Sequence, residues 1–187
     1  MDIQRCQWVS EDPQYQDYHD KVWGRPVYDS QELFAKLCLD GQQAGLSWLT
    51  ILKKQANYEA AFAQFDPAKI ALFDEAKIES LMQDTGIVRN RLKVNSIIKN
   101  ARAYMAFINE GHNFSDFLWS FVGGEVKFNA FVHGSEIPAQ TKESLAMSKA
   151  LKKLGFNFVG PTICYAFMQA VGMVNDHTLD CFCYSEG

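Results

Sequence analysis

Residues 38–48 read CLDGQQAGLSW, from Cys38 to Trp48. The stretch lies between two apolar patterns of helical period: Leu33, Phe34, Leu37 and Cys38 before it, and the run that starts at Trp48 after it. Gly41 and Gly45 predict an end to the first helix and a tight turn, and Ser47 is placed to cap the second. Such a turn can hold a carboxylate (Asp40), an aromatic ring (Trp48) and an apolar tip (Leu46) beside a surface cleft, where a planar ligand is stacked and hydrogen-bonded. The alternative is an interhelical turn that only packs Trp48 into the core, and the stretch by itself leaves both open.

Working outward, 187 residues suit a single domain or two small lobes and are enough to bury a sizeable core. The hydrophobic fraction of 48% and aromatic fraction of 13% exclude a disordered chain. No apolar run approaches the roughly 18 to 20 residues of a membrane span. The start, MDIQRCQWVSEDP, lacks a basic segment followed by an apolar one, so a soluble cytoplasmic protein is expected, with no membrane partner. Five cysteines without an export signal point to free thiols or metal ligands, not to a disulfide framework. A net charge of −4 weighs against nucleic-acid binding, but the distribution weighs for it. Thr85 to Asn109 contains no acid, whereas Arg89, Arg91, Lys93, Lys99 and Arg102 all fall there and predict a local positive field.

The periodicity predicts an all-α chain. An aromatic-rich arm over residues 1–29 carries one short helix around Tyr15 to His19. Ser30 caps the helix leading to Asp40, and Trp48 to Phe65 forms the next. Asp66-Pro67 starts a short helix to Phe73, and Asp74 caps another. Thr85 to Arg91, with Gly86 and Val88, reads as a hairpin before a long amphipathic helix that Gly111 ends. Ser115 to Val122 is a short aromatic helix, and residues 123–140 allow little beyond weak alternation at Val126, Phe128 and Ala130. Thr141 with Ser144 opens another helix that Gly155 closes, and Pro161 to Val171 forms the last.

Two further candidates stand beside the first stretch. The Gly86 turn can present unpaired backbone amides to an anion such as a DNA phosphate, with Arg89, Arg91 and Lys93 adding charge. A plain helical hairpin with a solvated basic surface is the other reading. At the chain ends, Cys6 and His19 on one side and His177 and Cys181 on the other offer two thiolates and two imidazoles, a closed tetrahedral zinc set. Packed cysteines and surface histidines are the alternative. Cys38, Cys164 and Cys183 are expected to pack, and His112 and His133 to be solvated.

CLDGQQAGLSW, with CQWVSEDPQYQDYHDKVWG near the start and FVGPTICYAFMQAVGMVNDH near the end, resembles the 3-methyladenine DNA glycosylase I family from Cys6 to Tyr184. The resemblance implies a helix-hairpin-helix glycosylase fold of two helical lobes within one domain, 1–187, with the helix-hairpin-helix at about 74–110. One structural zinc ion on Cys6, His19, His177 and Cys181 ties residues 1–29 to 172–187. The implied base pocket is Trp8, Tyr15, Tyr18, Asp40 and Trp48, with Asp40 as the catalytic residue, its carboxylate accepting from the exocyclic amine of the flipped base. Trp23 and Tyr28 are read as core. Gly45 and Leu46 match the turn that fills the gap left by a flipped base. The implied substrate is double-stranded DNA carrying alkylated bases, the product free 3-methyladenine, and the enzyme a monomer.

Physically, a 3-methylated adenine in DNA is cationic, so an aromatic cage favours it through cation-π attraction. Its glycosidic bond is already labile, and no lysine or aspartate after the hairpin is marked as a nucleophile; hydrolysis without strand cleavage is expected. The chain departs from the family in having Asp40 where the family carries Glu, a carboxylate withdrawn by roughly 1.5 Å; about 1 Å can cost on the order of a hundredfold in a positioned site. That departure keeps open a zinc-stabilised lesion-recognition protein with weak or altered activity, and a zinc hydrolase is a third reading.

Overall fold

A computed structural model describes residues 2–184. Helices dominate, as the periodicity predicts: α1 Pro13–Lys21, α2 Ser30–Gln42, α3 Trp48–Ala61, α4 Pro67–Ile70, α5 Glu75–Leu81, α6 Arg91–Asn109, α7 Phe114–Trp119, α8 Lys142–Leu154 and α9 Pro161–Ala170. The region with weak alternation does hold a strand, β1 Lys127–Phe128, which pairs in parallel with β2 Val174–Asn175. Helix α2 is the central element and packs against α9, α6, α3 and α7. Leu33, Phe34, Leu37 and Cys38 are its buried stripe, and Tyr58, Phe62, Ile97, Phe114, Met147 and Phe167 close the core around it.

Local chemistry explains most boundaries. Asp29 caps α2, accepting the Glu32 N–H; Ser30 is the first helical residue, and its hydroxyl instead accepts the Ser115 N–H. Ser47, Asp66 and Asp74 cap the following helices as expected, and Thr141 with Ser144 forms a reciprocal box at α8. Helix α3 stops at Ala61, short of Phe65, because Ala63, Gln64 and Phe65 take left-handed φ values of 52°, 57° and 55°. Helix α4 likewise ends at Ile70, and Arg102 donates to the carbonyls of Ala71 and Phe73 beyond it.

Gly41 is not a breaker. It lies inside α2, where a Cβ would stand 3.0 Å from the Phe158 carbonyl oxygen, so glycine is there to let the 155–160 connection approach. The turn is made later, at Gly45 (φ 77°), and places Leu46 outward.

Lys93 also departs from expectation. Instead of adding mobile charge to a surface, it is buried and its Nζ donates to the carbonyls of Gln42 and Ala44 at 2.9 and 2.6 Å. These are orphan acceptors at the α2 C-terminus, so Lys93 caps the helix that carries Asp40. Lys93→Met leaves both carbonyls without that donor and should lower stability by about 2 kcal/mol in urea denaturation. A loss of about 0.5 kcal/mol or less, typical of a surface change, would show that solvent replaces it.

Candidate functional site

The α2 C-terminus, α1 and the arm before it enclose a cavity of about 550 Å³. Trp8, Tyr15, Tyr18, Asp40 and Trp48, all expected there, line it together. The rings fall in two groups: Trp8 lies 5.1 Å from Tyr15 and 5.0 Å from Trp23, and Tyr18 lies 5.5 Å from Trp48. Trp23 is buried, as expected, but it also lines the cavity; Tyr28 is exposed and stacks on Trp119 at 4.5 Å.

Asp40 sits in the last turn of α2, on helix and not in a turn. It is 2% exposed, and its Oδ2 has no hydrogen-bond partner among the described residues; the same holds for Nε1 of Trp8 and of Trp48. A carboxylate at a helix C-terminus, buried and half-satisfied, is unfavourable for folding and marks a place where a ligand can supply the missing donor. Its other oxygen is held by a residue that the sequence reading does not single out. Lys36, one helical turn earlier, places Nζ 2.9 Å from Asp40 Oδ1 and 3.2 Å from the centre of the Trp48 ring. The spacing of four on one helix is the available signal. Ile137 and Pro138, from the 123–140 region, complete the wall together with Gln169 on α9; no pattern in the sequence brings them there.

Burial pushes the Asp40 carboxyl above its ordinary value, with Lys36 opposing, and pushes the Lys36 ammonium below its own, with Asp40 opposing.

The four expected metal ligands also meet. Cys6, His19, His177 and Cys181 are all buried, and their ligand atoms lie within 4.8 Å of one another. Cys6 Sγ and Cys181 Sγ each lie 3.5 Å from His177 Nδ1, and Cys181 Sγ lies 3.5 Å from His19 Nε2. The far nitrogens are fixed: His19 Nδ1 faces Asp20 at 2.8 Å, His177 Nε2 faces the Trp23 carbonyl at 3.2 Å, and Arg5 grips Asp20 at 2.7 Å. Outer partners of this kind orient imidazoles toward a metal. The Cys6 thiol and the two imidazoles hold Cys181 well below the ordinary thiol range, and Cys6 is pushed up because it keeps the proton. Trp8 packs on His19 at 5.3 Å and Trp23 on His177 at 4.8 Å, so the cavity wall rests on this cluster.

The expected basic strip is mostly spent on structure. Arg91 pairs with Glu79 at 2.7 Å and Glu75 at 3.6 Å, Arg102 donates to the Ala71 and Phe73 carbonyls just beyond α4, and Lys93 is buried. Arg89 and Lys99 remain exposed without an ion-pair partner among the described residues. At the turn, the Gly86 N–H donates to Asp84 and the Val88 N–H to the Tyr58 hydroxyl, so those two amides are not open to an anion. Leu46 is 41% exposed and does not itself line the cavity; it lies in the chain between the lining residues Gln43 and Trp48.

An aromatic cavity with an orphaned carboxylate, carried on a helical domain, defines a small-molecule or base-binding site. The chain belongs to the methyladenine glycosylase family, whose model matches residues 8–184. It is 56% identical over 182 residues to DNA-3-methyladenine glycosylase 1 of Escherichia coli strain K12, covering 97% of each chain. A crystal structure of 3-methyladenine DNA glycosylase I matches with a TM-score of 0.96 and 55% identity, over 97% of this chain and 100% of that one. A tyrosine-to-phenylalanine variant of a 3-methyladenine DNA glycosylase I, solved in complex with 3-methyladenine, matches with a TM-score of 0.89 and 42% identity over 92% of each chain.

The Lys36–Asp40 pair generates a pH signature in stability. A raised folded pKa of Asp40 contributes stability that is full below its unfolded value and lost as pH rises through the folded value. A depressed Lys36 contributes stability that is full above its unfolded value and lost as pH falls through the folded value. The wild type, measured against a Lys36→Met/Asp40→Leu variant, should therefore be relatively weakest near neutral pH and gain toward both extremes. A difference flat with pH would show that the pair is not desolvated.

Proposed function

We propose that this chain is a DNA-3-methyladenine glycosylase, a hydrolase that cleaves the N-glycosidic bond of 3-methyladenine in alkylated double-stranded DNA after the base is flipped from the helix. The observation that carries the reading is the unpaired Asp40 Oδ2 inside an aromatic cavity, in a chain 56% identical to an enzyme of that name. Extrusion of a base costs a few kcal/mol and is easier for a damaged one. Leu46, exposed on the Gly45 turn between the lining residues Gln43 and Trp48, is the side chain suited to filling the vacated stack. Inside, the rings of Trp8, Tyr15, Tyr18 and Trp48 stack the base, and Asp40 accepts its exocyclic amine. The cationic base is a good leaving group, so the pocket's task is to hold and orient it while water attacks the sugar carbon. The products are free 3-methyladenine and an abasic site.

The turn over residues 82–90 between α5 and α6 fits the helix-hairpin-helix role of a backbone anchor, acting through Arg89 and the remaining turn amides, with Gly86 and Val88 shaping the turn, Arg91 tying α6 to α5 and Lys93 tying α6 to the end of α2. Such contacts anchor DNA without reading sequence. The enzyme works as a single-domain monomer.

Two thiols and two imidazoles with oriented outer partners fit zinc(II) in tetrahedral coordination. An ion held there would have all four positions filled by protein and so would be structural, with its residues holding the arm that bears Trp8, Tyr15 and Tyr18 against the C-terminal segment.

Chromatography of bases released from methylated duplex DNA tests the activity: the wild type should release 3-methyladenine, and Asp40→Asn should lose about a hundredfold in kcat/KM. Release by neither protein would overturn the reading. Elemental analysis should find one zinc per chain, and its removal by a strong chelator should lower Tm and abolish base binding. A metal-free protein of unchanged Tm would remove the zinc assignment.

A further inference from the structure

The cavity already contains a cation of its own. Lys36 Nζ stands 3.2 Å from the centre of the Trp48 ring and 5.5 Å from that of Tyr18, with its side chain only 14% exposed. It therefore covers one of the π faces that a cationic base would use, and its charge offsets that of Asp40. Selection by positive charge is weakened at this spot. What the pair offers instead is a pattern. Asp40 Oδ2 is an acceptor without a donor among the described residues, and the ammonium has three donors, of which the one recorded hydrogen bond, to Asp40 Oδ1 at 2.9 Å, uses a single proton. An acceptor and a donor thus stand side by side, one hydrogen bond apart, within the cavity.

We propose that Lys36 is a specificity-determining residue of the base pocket, donating to a ring nitrogen of the base while Asp40 accepts from the neighbouring exocyclic amine; this rests on the glycosylase reading of the site. The complement of the pair is an amino group flanked by an unprotonated ring nitrogen, which adenine-type bases carry on both sides of their 6-amino group. A base with a carbonyl in place of the amine faces the Asp40 oxygen with a second acceptor and is rejected, because the buried oxygen is then left unpaired. The long Lys36 side chain also reaches toward the ligand from beside Asp40, which offsets the shorter reach of an aspartate there.

Tryptophan fluorescence titration of free 3-methyladenine and of its 7-deaza and 1-deaza analogues tests this, using wild type, Lys36→Met and Lys36→Gln. In the wild type one of the two deaza analogues should bind about tenfold more weakly than 3-methyladenine, the size of one charge-assisted hydrogen bond. Lys36→Met should bind all three alike, and Lys36→Gln, which keeps N–H donors without the charge, should retain part of the penalty. No penalty in the wild type, or the same penalty in Lys36→Met, would overturn the proposal; if the methionine variant does not fold, an undiminished penalty in Lys36→Gln overturns it instead. Base release from methylated duplex by the same preparation separates the two readings. A deaza penalty without release would remove the activity and keep the Lys36 contact, and release without a penalty would remove the Lys36 contact alone.

Discussion

The meeting of Cys6, His19, His177 and Cys181 is the constraint on which the rest of the site depends. Three of the cavity's rings, Trp8, Tyr15 and Tyr18, lie on an N-terminal arm and a nine-residue helix that have little core of their own. That arm is placed by contacts to a segment more than 150 residues away, as in the His19 to Cys181 approach with a separation of 162. The entropy lost in closing so long a loop has to be offset by the contacts that hold its ends together. Trp8 and Trp23 transmit the closure directly, since each packs on one of the two imidazoles.

The opposite wall is positioned by different chemistry. Asp40 is unfavourable where it stands, buried at the negative end of a helix, and two lysines make that placement tolerable. Lys36 neutralises the carboxylate from within the helix, while Lys93 reaches from α6 to the carbonyls that end it. One arrangement is electrostatic and local, the other a cap supplied by a neighbour; both hold the final turn of α2 in register.

Sequence periodicity is sufficient for the helices and for most caps, because Ser47, Asp66, Asp74 and Thr141 act on backbone within three residues of themselves. The site residues are legible through resemblance, and the structure brings the five pocket residues and the four cluster residues together as that resemblance implies. Errors arise where a residue's partner lies far along the chain. Gly41 looks like a helix breaker because the Phe158 carbonyl that needs the space is over a hundred positions away. Lys93 looks like a surface cation because its acceptors sit 51 and 49 residues earlier. Lys36 is within reach of pattern reading, four residues from Asp40, but only the cavity geometry shows that its head lies over Trp48.

A single hydroxyl joins the two ends of this design. Tyr58 Oη donates to the Gln42 side chain at 3.2 Å, next to the acid-bearing turn, and accepts the Val88 N–H at 3.1 Å from the connection before α6. Gln42 continues the link by donating to the Lys93 carbonyl at 3.1 Å. The end of α2 and the 82–90 turn are thus tied through one set of hydrogen bonds. These bonds set the offset between that turn and the end of α2 within the fold itself, so a ligand long enough to touch both has to fit a spacing that the protein supplies.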